Sequence, residues 1–464
     1  MVLSGLPDTA AKVVDWAVRE GASFAEVRID KYVLTYFSVV DGVVKDVVAG
    51  VESGASLRVF YRGVWGFSST TDLSTEGLYR AMNYALASAR ALSAQGGTSS
   101  VCLLPSRDDF VRADVKVSVL DVPFETKVRD ALELYKVLVS KDYVKSVTVT
   151  YMDGAGESLY VSSDPRFIRQ EYSISWLGVS VTGREGERRA SVGEEIGSTD
   201  GYTIWSRWLQ EELGAALLNR LEGQLRGKSP MSGIFTVVLA PPAVGALIHE
   251  AFGHLCEADL AMSGSAVKDL RGKVIAKEFI TVVDDPALPG GFGTIKYDDE
   301  GVEAKPAYLV KDGVLRDFMV NREYASKLGI EPTGNARAST YKAPPLIRMR
   351  NTVLAPRDYA LDELLEGIKF GYYLVSISGG ETNLDGTFHL GLQEAYEIVN
   401  GEVGEPVRNL SISGNSLTIL RNAEAVGKDL QLHYGRCSKG QTVLVSFGGP
   451  HVRVTNVLIG AGGG

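Results

Sequence analysis

The sequence predicts an α+β fold: a mixed N-terminal domain of antiparallel strands and helices, then a strand-rich C-terminal domain. Three observations lead there. Runs of β-branched and aromatic residues recur along the chain, cut by Gly and Asp-Gly. Long amphipathic helical patterns concentrate in the first half. The chain, at 464 residues, is too long for one ordinary core, and its 51 glycines fit many tight turns.

The opening helix is signalled by Asp8 as N-cap, with Val13, Val14, Trp16 and Ala17 on its apolar side. FAEVRID, KYVLTYFSVV, GVVKDVVAG and SLRVFYRGVWGFSS then read as strands. A helix is expected over Thr75–Ala94, closed by Gly96-Gly97, and a second over ETKVRDALELYKVLVS. Strands return between about Val144 and Val181, with an Asp-Gly turn at 153–154. IWSRWLQEELGAALLNRLEGQLRG reads as one strong helix.

The polar stretch GKSPMSG, residues 227–233, sets the expected boundary between domains 1–227 and 228–464. IFTVVLA follows as a buried strand, and Pro241-Pro242 opens a helix expected over 242–260. The remainder reads as short strands, with LDELLEGIKF the one helical interruption, and ends in GAGGG.

A net charge of −9, with no run of Lys or Arg, argues against a nucleic-acid partner. No stretch reaches 18 uncharged apolar residues, so no membrane span is expected. The start lacks a basic region followed by an apolar one, so no secretory signal is expected. Three scattered cysteines, Cys102, Cys256 and Cys437, make no disulfide framework and fit a reducing, cytoplasmic setting.

The chemistry concentrates in residues 247–259, LIHEAFGHLCEAD. His249 and Glu250 open the stretch like a zinc-protease helix, but the second histidine comes five positions on (254 − 249), where such helices use four. On an ideal helix five residues turn roughly 500°, which splays the two imidazoles by about 140°. A π-bulge or kink is therefore expected between Glu250 and His254; a π-bulge brings both rings onto one face, and Gly253 makes the distortion cheap. Two imidazoles and a carboxylate in an apolar helix need polar partners, and a metal satisfies all three. Unrelated core or surface histidines are the plainer alternative.

Spacing leaves the third ligand open. Cys256 faces away from His254; Glu257 lies on its side as a ligand or as an acceptor for a histidine N–H. Cys102 reads as a small buried hydrophobe. Cys437, in the glycine-flanked loop HYGRCSKGQ, is free to reach a metal, and His389, His433 and His451 are further candidates. Asp298, Asp299 and Glu300 read first as a solvated turn.

With HEAFGH go TVVDDP, YDDEGV, LVKDGVL, PTGNAR, RMRNT, SGGETN and GRCSKGQ. Together these motifs resemble the TldD/PmbA peptidase family, specifically its TldD branch, over nearly the whole chain. The resemblance implies a Zn2+ site held by His249, His254 and Cys437, with Glu250 as the catalytic carboxylate. Ser438 departs from the glycine that relatives often carry after the cysteine. The implied reaction is hydrolysis of short or unstructured peptides by metal-bound water, with Glu250 as general base. The implied assembly is a homodimer, or a heterodimer with a PmbA/TldE-type paralogue. Asn335, Gly379, Gly380 and Asn383 are candidate substrate-lining residues. Two other functions stay open: a non-catalytic regulatory or scaffold partner in a peptide-processing complex, and a metal-dependent hydrolase of another bond.

Overall fold

The strands of the first half run longer than the sequence breaks imply. The structure, a computed structural model, describes residues 5–461, so the last three glycines of GAGGG lie outside it. Helix α1 spans Leu6–Arg19; Gly5 is its N-cap, and Asp8 sits within the first turn beside Pro7 instead of capping it. FAEVRID and KYVLTYFSVV form a single strand, β1 (Phe24–Val40), and β2 (Val43–Tyr61) runs back along it. Asp41 and Gly42 join them with φ of 49° and 82°, the paired positive values of a tight hairpin turn. Arg62-Gly63 repeats this before β3 (Val64–Thr70).

Helix α2 (Thr75–Ser93) is capped by Ser74, whose hydroxyl accepts from the Gly77 N–H. There follow β4 (Arg107–Val111), α3 (Phe124–Leu138), β5 (Val144–Ser162), β6 (Arg166–Glu185) and β7 (Arg188–Ser198). The expected turn at Asp153-Gly154 is strand instead: Asp153 pairs with Thr35 and Ser175, and its buried carboxylate takes Lys127 and Tyr151. The expected single helix after β7 is two, α4 (Ile204–Arg207) and α5 (Gln210–Arg226), because Trp208 between them is extended.

Strands β3-β2-β1-β5-β6-β4 make one sheet, with β7 on β6. All its pairings are antiparallel except β4 with β6. One core packs α1 and α2 against Val27, Ile29 and Leu57. A second packs α3 and α5 against Phe37, Tyr151 and Leu177.

The second half starts with β8 (Gly233–Leu239) and α6 (Pro241–Leu247), a π-helical turn over Ile248–Phe252, a 3-10 turn over Gly253–Cys256 and α7 (Ala258–Met262). Next come β9 (Val282–Asp284), β10 (Ala307–Lys311), β11 (Val314–Leu315), α8 (Arg322–Leu328), β12 (Ala336–Arg337), β13 (Leu346–Ile347) and β14 (Asn351–Leu354). Then follow α9 (Leu361–Leu365), β15 (Phe370–Thr382), β16 (Thr387–Val399), β17 (Glu402–Pro406), β18 (Leu410–Asn415) and α10 (Ser416–Asn422). The last strands are β19 (Ala423–Val426), β20 (Gln431–Lys439), β21 (Gln441–Gly449) and β22 (Val452–Ala461). LDELLEGIKF is therefore not the one helix after the motif. Both α8 and α10 begin at asparagine caps, with Asn321 and Asn415 accepting from Tyr324 and Leu417 N–H.

The pairings β8–β15–β16–β18–β22–β8 close on themselves, making a five-stranded barrel with β17 and β19 at its rim. The other large sheet runs β11-β10-β9-β14-β21-β20. The helix leaving β8 lies between the two. Val244 and Ile248 share one core with Val237 and Leu239 of the barrel and Val443 and Val445 of β21. Gly245 allows this close approach, since a Cβ there would sit 2.7 Å from the Gly448 nitrogen.

Buried ions join the halves. Arg58 of β2 bridges Glu26 at 2.9 Å and Glu300 at 2.8 Å, and Arg322 of α8 meets Asp164 at 2.6 Å. Asp298 and Glu300 are buried, not solvated: Asp298 accepts from the Glu300, Val302 and Ala336 N–H groups. Burial, then the Glu300 charge, raises the Asp298 carboxyl. Among the described helices, none is long and apolar enough to cross a membrane.

Candidate metal centre

The expected continuous helix over 242–260 is four helical pieces, and the chemistry sits where they change. After α6 the chain widens: the Gly253 N–H reaches the Ile248 carbonyl, five residues back, as well as that of His249. Phe252 then leaves helical geometry, with φ −124°. Glu257 is extended (ψ 121°), so α7 is a separate helix. The Ser416 hydroxyl at the start of α10 caps the carbonyl of Ala251, a group within the widened turn. Gly253 itself has ordinary helical angles (φ −56°), so backbone freedom is not its role. A Cβ at this position would sit 2.3 Å from the Met349 sulfur, so the glycine makes room for Met349, between β13 and β14.

The widened turn brings the two imidazoles together, with ring centroids 5.4 Å apart and planes at 81°. Cys437, near the end of β20, approaches from the other sheet, its Sγ 3.3 Å from His254 Nε2. One donor atom from each of His249, His254 and Cys437 lies within 4.8 Å of the others. Both His249 ring nitrogens are buried with no protein hydrogen bond, an arrangement that needs a partner. Two imidazoles and a soft thiol are a donor set suited to zinc. Glu250 stands beside them, half exposed, with Oε2 3.9 Å from His254 Nε2.

Burial, then the neighbouring His254 and Arg348, holds His249 well below the ordinary imidazole range. Burial also opposes charge on His254, but its bonds to Cys437 and Glu257 outweigh that and push it up to about 10. Glu257, fully buried, accepts from His254 Nδ1 at 2.9 Å. Of the two roles open to it, the structure gives the acceptor. Cys256 lies in the apolar core, where burial, then Glu257, raises its thiol.

The other sequence candidates lie apart from this cluster. His389 bonds Ser413 on the barrel, His433 stacks near Phe447, and His451 joins Asp429 and Tyr373. Asn335 is corrected: it is fully buried, and its amide donates to Asp284 and to the Arg348 carbonyl, so it cannot line a cleft. Gly379 and Gly380 are exposed on β15, paired with Gly391 and Leu390, and Asn383 bonds Thr387 in the following turn.

Two residues around the cluster had no separate place in the sequence reading. Arg348, fully buried, donates to the carbonyls of Cys437 and Gln441. Lys439 reaches Glu257 at 3.0 Å. The one sequence signal was their position inside RMRNT and GRCSKGQ.

Comparison with known proteins follows the same lines. Models of the PmbA/TldA metallopeptidase match in order: domain 1 over residues 25–91, the central domain over 118–231 and the C-terminal domain over 232–461. A protein of Saccharolobus solfataricus called a zinc metalloprotease TldD homolog is 38% identical over 97% of this chain and 99% of its own. A Methanothermobacter thermautotrophicus metalloprotease is 36% identical over 96% of each chain. The solved structure of TldE from Thermococcus kodakarensis superposes with a TM-score of 0.74 at 18% identity, covering 98% of this chain and 100% of that one. Three domain models matched in sequence order, and relatives aligned end to end, place the chain as a member of the PmbA/TldD metallopeptidase family.

Proposed function

We propose that the chain is a zinc-dependent peptidase of the TldD type, hydrolysing short or unstructured peptides in the cytoplasm. One observation carries the reading: a buried His249 whose two nitrogens lack partners, gathered with His254 and Cys437 donors within 4.8 Å. His249, His254 and Cys437 would hold the ion, and when bound it supplies Lewis acidity and a lowered pKa for water. Glu250 is the one carboxylate of the group with a substantially exposed side chain, 49% against 0% for Glu257. That exposure suits it to take a proton from the attacking water and return it to the departing amine. Glu257 orients His254 from the far side of the ring, leaving Nε2 toward the cluster.

Gly379, Gly380 and Asn383 are the exposed residues proposed to meet an extended peptide, whose backbone suits pairing with strands. The protein is proposed to work as a dimer, with itself or with a TldE-type paralogue. Size-exclusion chromatography with and without such a paralogue tells the two apart.

The test of activity is peptide digestion with metal analysis on the same samples. Glu250→Gln is expected to retain the metal and lose about 10²- to 10⁴-fold in hydrolysis rate. Unchanged hydrolysis with the metal in place would remove Glu250 from the reaction. A wild-type protein that binds zinc and cuts no peptide, alone or with the paralogue, favours the scaffold role.

A further inference from the structure

Glu257 presents a problem that the metal ligands do not solve. It is fully buried, and a buried carboxylate without a counter-charge is strongly destabilising. Its Oε2 accepts from His254 Nδ1, and its cation is Lys439, with Nζ 3.0 Å away. An ammonium has three protons to donate. Lys439 directs them at Glu257, at the Asp259 carboxylate (2.9 and 3.1 Å) and at the Ile347 carbonyl (2.7 Å). Its side chain is 18% exposed, so the fastening is shielded from competing water.

The partners of Lys439 lie on separate pieces of chain. Glu257 is the extended residue between the 3-10 turn and α7, Asp259 is in α7, and Ile347 is in β13. Lys439 itself is two residues from Cys437, at the end of the β20–β21 hairpin. One ammonium therefore ties the hairpin that carries the thiol to the segment that carries the histidines. It also pins the carboxylate that fixes which nitrogen of His254 faces the cluster.

Resting on the metal-site reading above, we propose that Lys439 is a positioning residue of the metal centre: by gripping Glu257 and Asp259 it sets the orientation of His254 and the distance from the histidine segment to Cys437.

Zinc affinity by chelator competition, and the absorption of the cobalt(II)-loaded protein, test this without reference to activity. Lys439→Met keeps the aliphatic stem and removes the grip. It is expected to weaken zinc binding about 10- to 100-fold and to alter the cobalt bands, thiolate charge transfer included. Asp259→Asn, at a partly exposed position, is expected to give a smaller loss of the same kind, and it serves should Lys439→Met fail to fold. Lys439→Arg, which returns the charge with a different shape, is expected to bind more tightly than Lys439→Met. If folded Lys439→Met, or folded Asp259→Asn in its place, keeps wild-type affinity and spectrum, the role of Lys439 is overturned while the metal site stands. If the wild-type protein shows no thiolate-to-cobalt band, the metal reading falls, and this one with it.

Discussion

At the scale of single residues, Gly253 shows how a correct expectation can rest on the wrong cause. The spacing of His249 and His254 asks for a widened turn, and the chain has one over Ile248–Phe252. The glycine was expected to permit it through backbone freedom, yet its angles are helical and the obstacle to a side chain is the Met349 sulfur. Gly253→Ala is therefore expected to destabilise by about 1–3 kcal/mol through overpacking. In a Met349→Ala background, Gly253→Ala should cost less than it does in the wild-type protein, because the methyl then has space. Chemical unfolding of the two single variants and the double variant checks this; an equal cost in both backgrounds would mean that Met349 is not the obstacle. His249, Glu250 and His254 are legible in the sequence because they lie within one short stretch. Glu257, Lys439 and Arg348 are less so, since their roles depend on which distant segments meet. Asn335 illustrates the same limit: a polar residue in PTGNAR looks solvent-facing until Asp284 and the Arg348 carbonyl enclose it.

At the scale of elements, local patterns located strands and helices well but not their continuity. Asp41-Gly42 and Asp153-Gly154 are the same dipeptide, yet the first turns the chain and the second lies inside β5. The distinction is tertiary: the Asp153 carboxylate is buried against Lys127, whereas the Asp41 carboxylate, at the exposed hairpin turn, accepts from the Val147 N–H of β5. The hairpin holding Cys437 turns at Gly440, with φ +68° and no side chain close enough to clash with an added methyl. Gly440→Ala should therefore carry only the left-handed backbone penalty, about 1–2 kcal/mol. A loss of stability much above that, measured by denaturant titration, would show that the turn is constrained by more than its backbone angle.

At the scale of the whole molecule, the two halves are joined by ions and not by apolar packing alone. Arg58 stands between Glu26 and Glu300, all three buried. Arg58→Met would leave two carboxylates facing each other, and a loss of about 3–5 kcal/mol is expected. Hydrogen exchange should show the protection lost on both sides of the joint, in β1 and around Glu300; loss confined to one half would mean the halves are stable separately. No such pairing is visible in the sequence, where Glu26 and Glu300 are separate acidic residues among 57. The barrel carries a different consequence. Its ring is completed by β22, which pairs with both β8 and β18, and β8 is the strand from which the histidine segment departs. During synthesis, β8 can pair with β15 first but must wait for more than 200 later residues before its second neighbour, β22, exists. The candidate metal centre is thus assembled from sequence-distant parts at a late moment, and a chain arrested before Val452 is expected to emerge without the His249, His254 and Cys437 cluster in place.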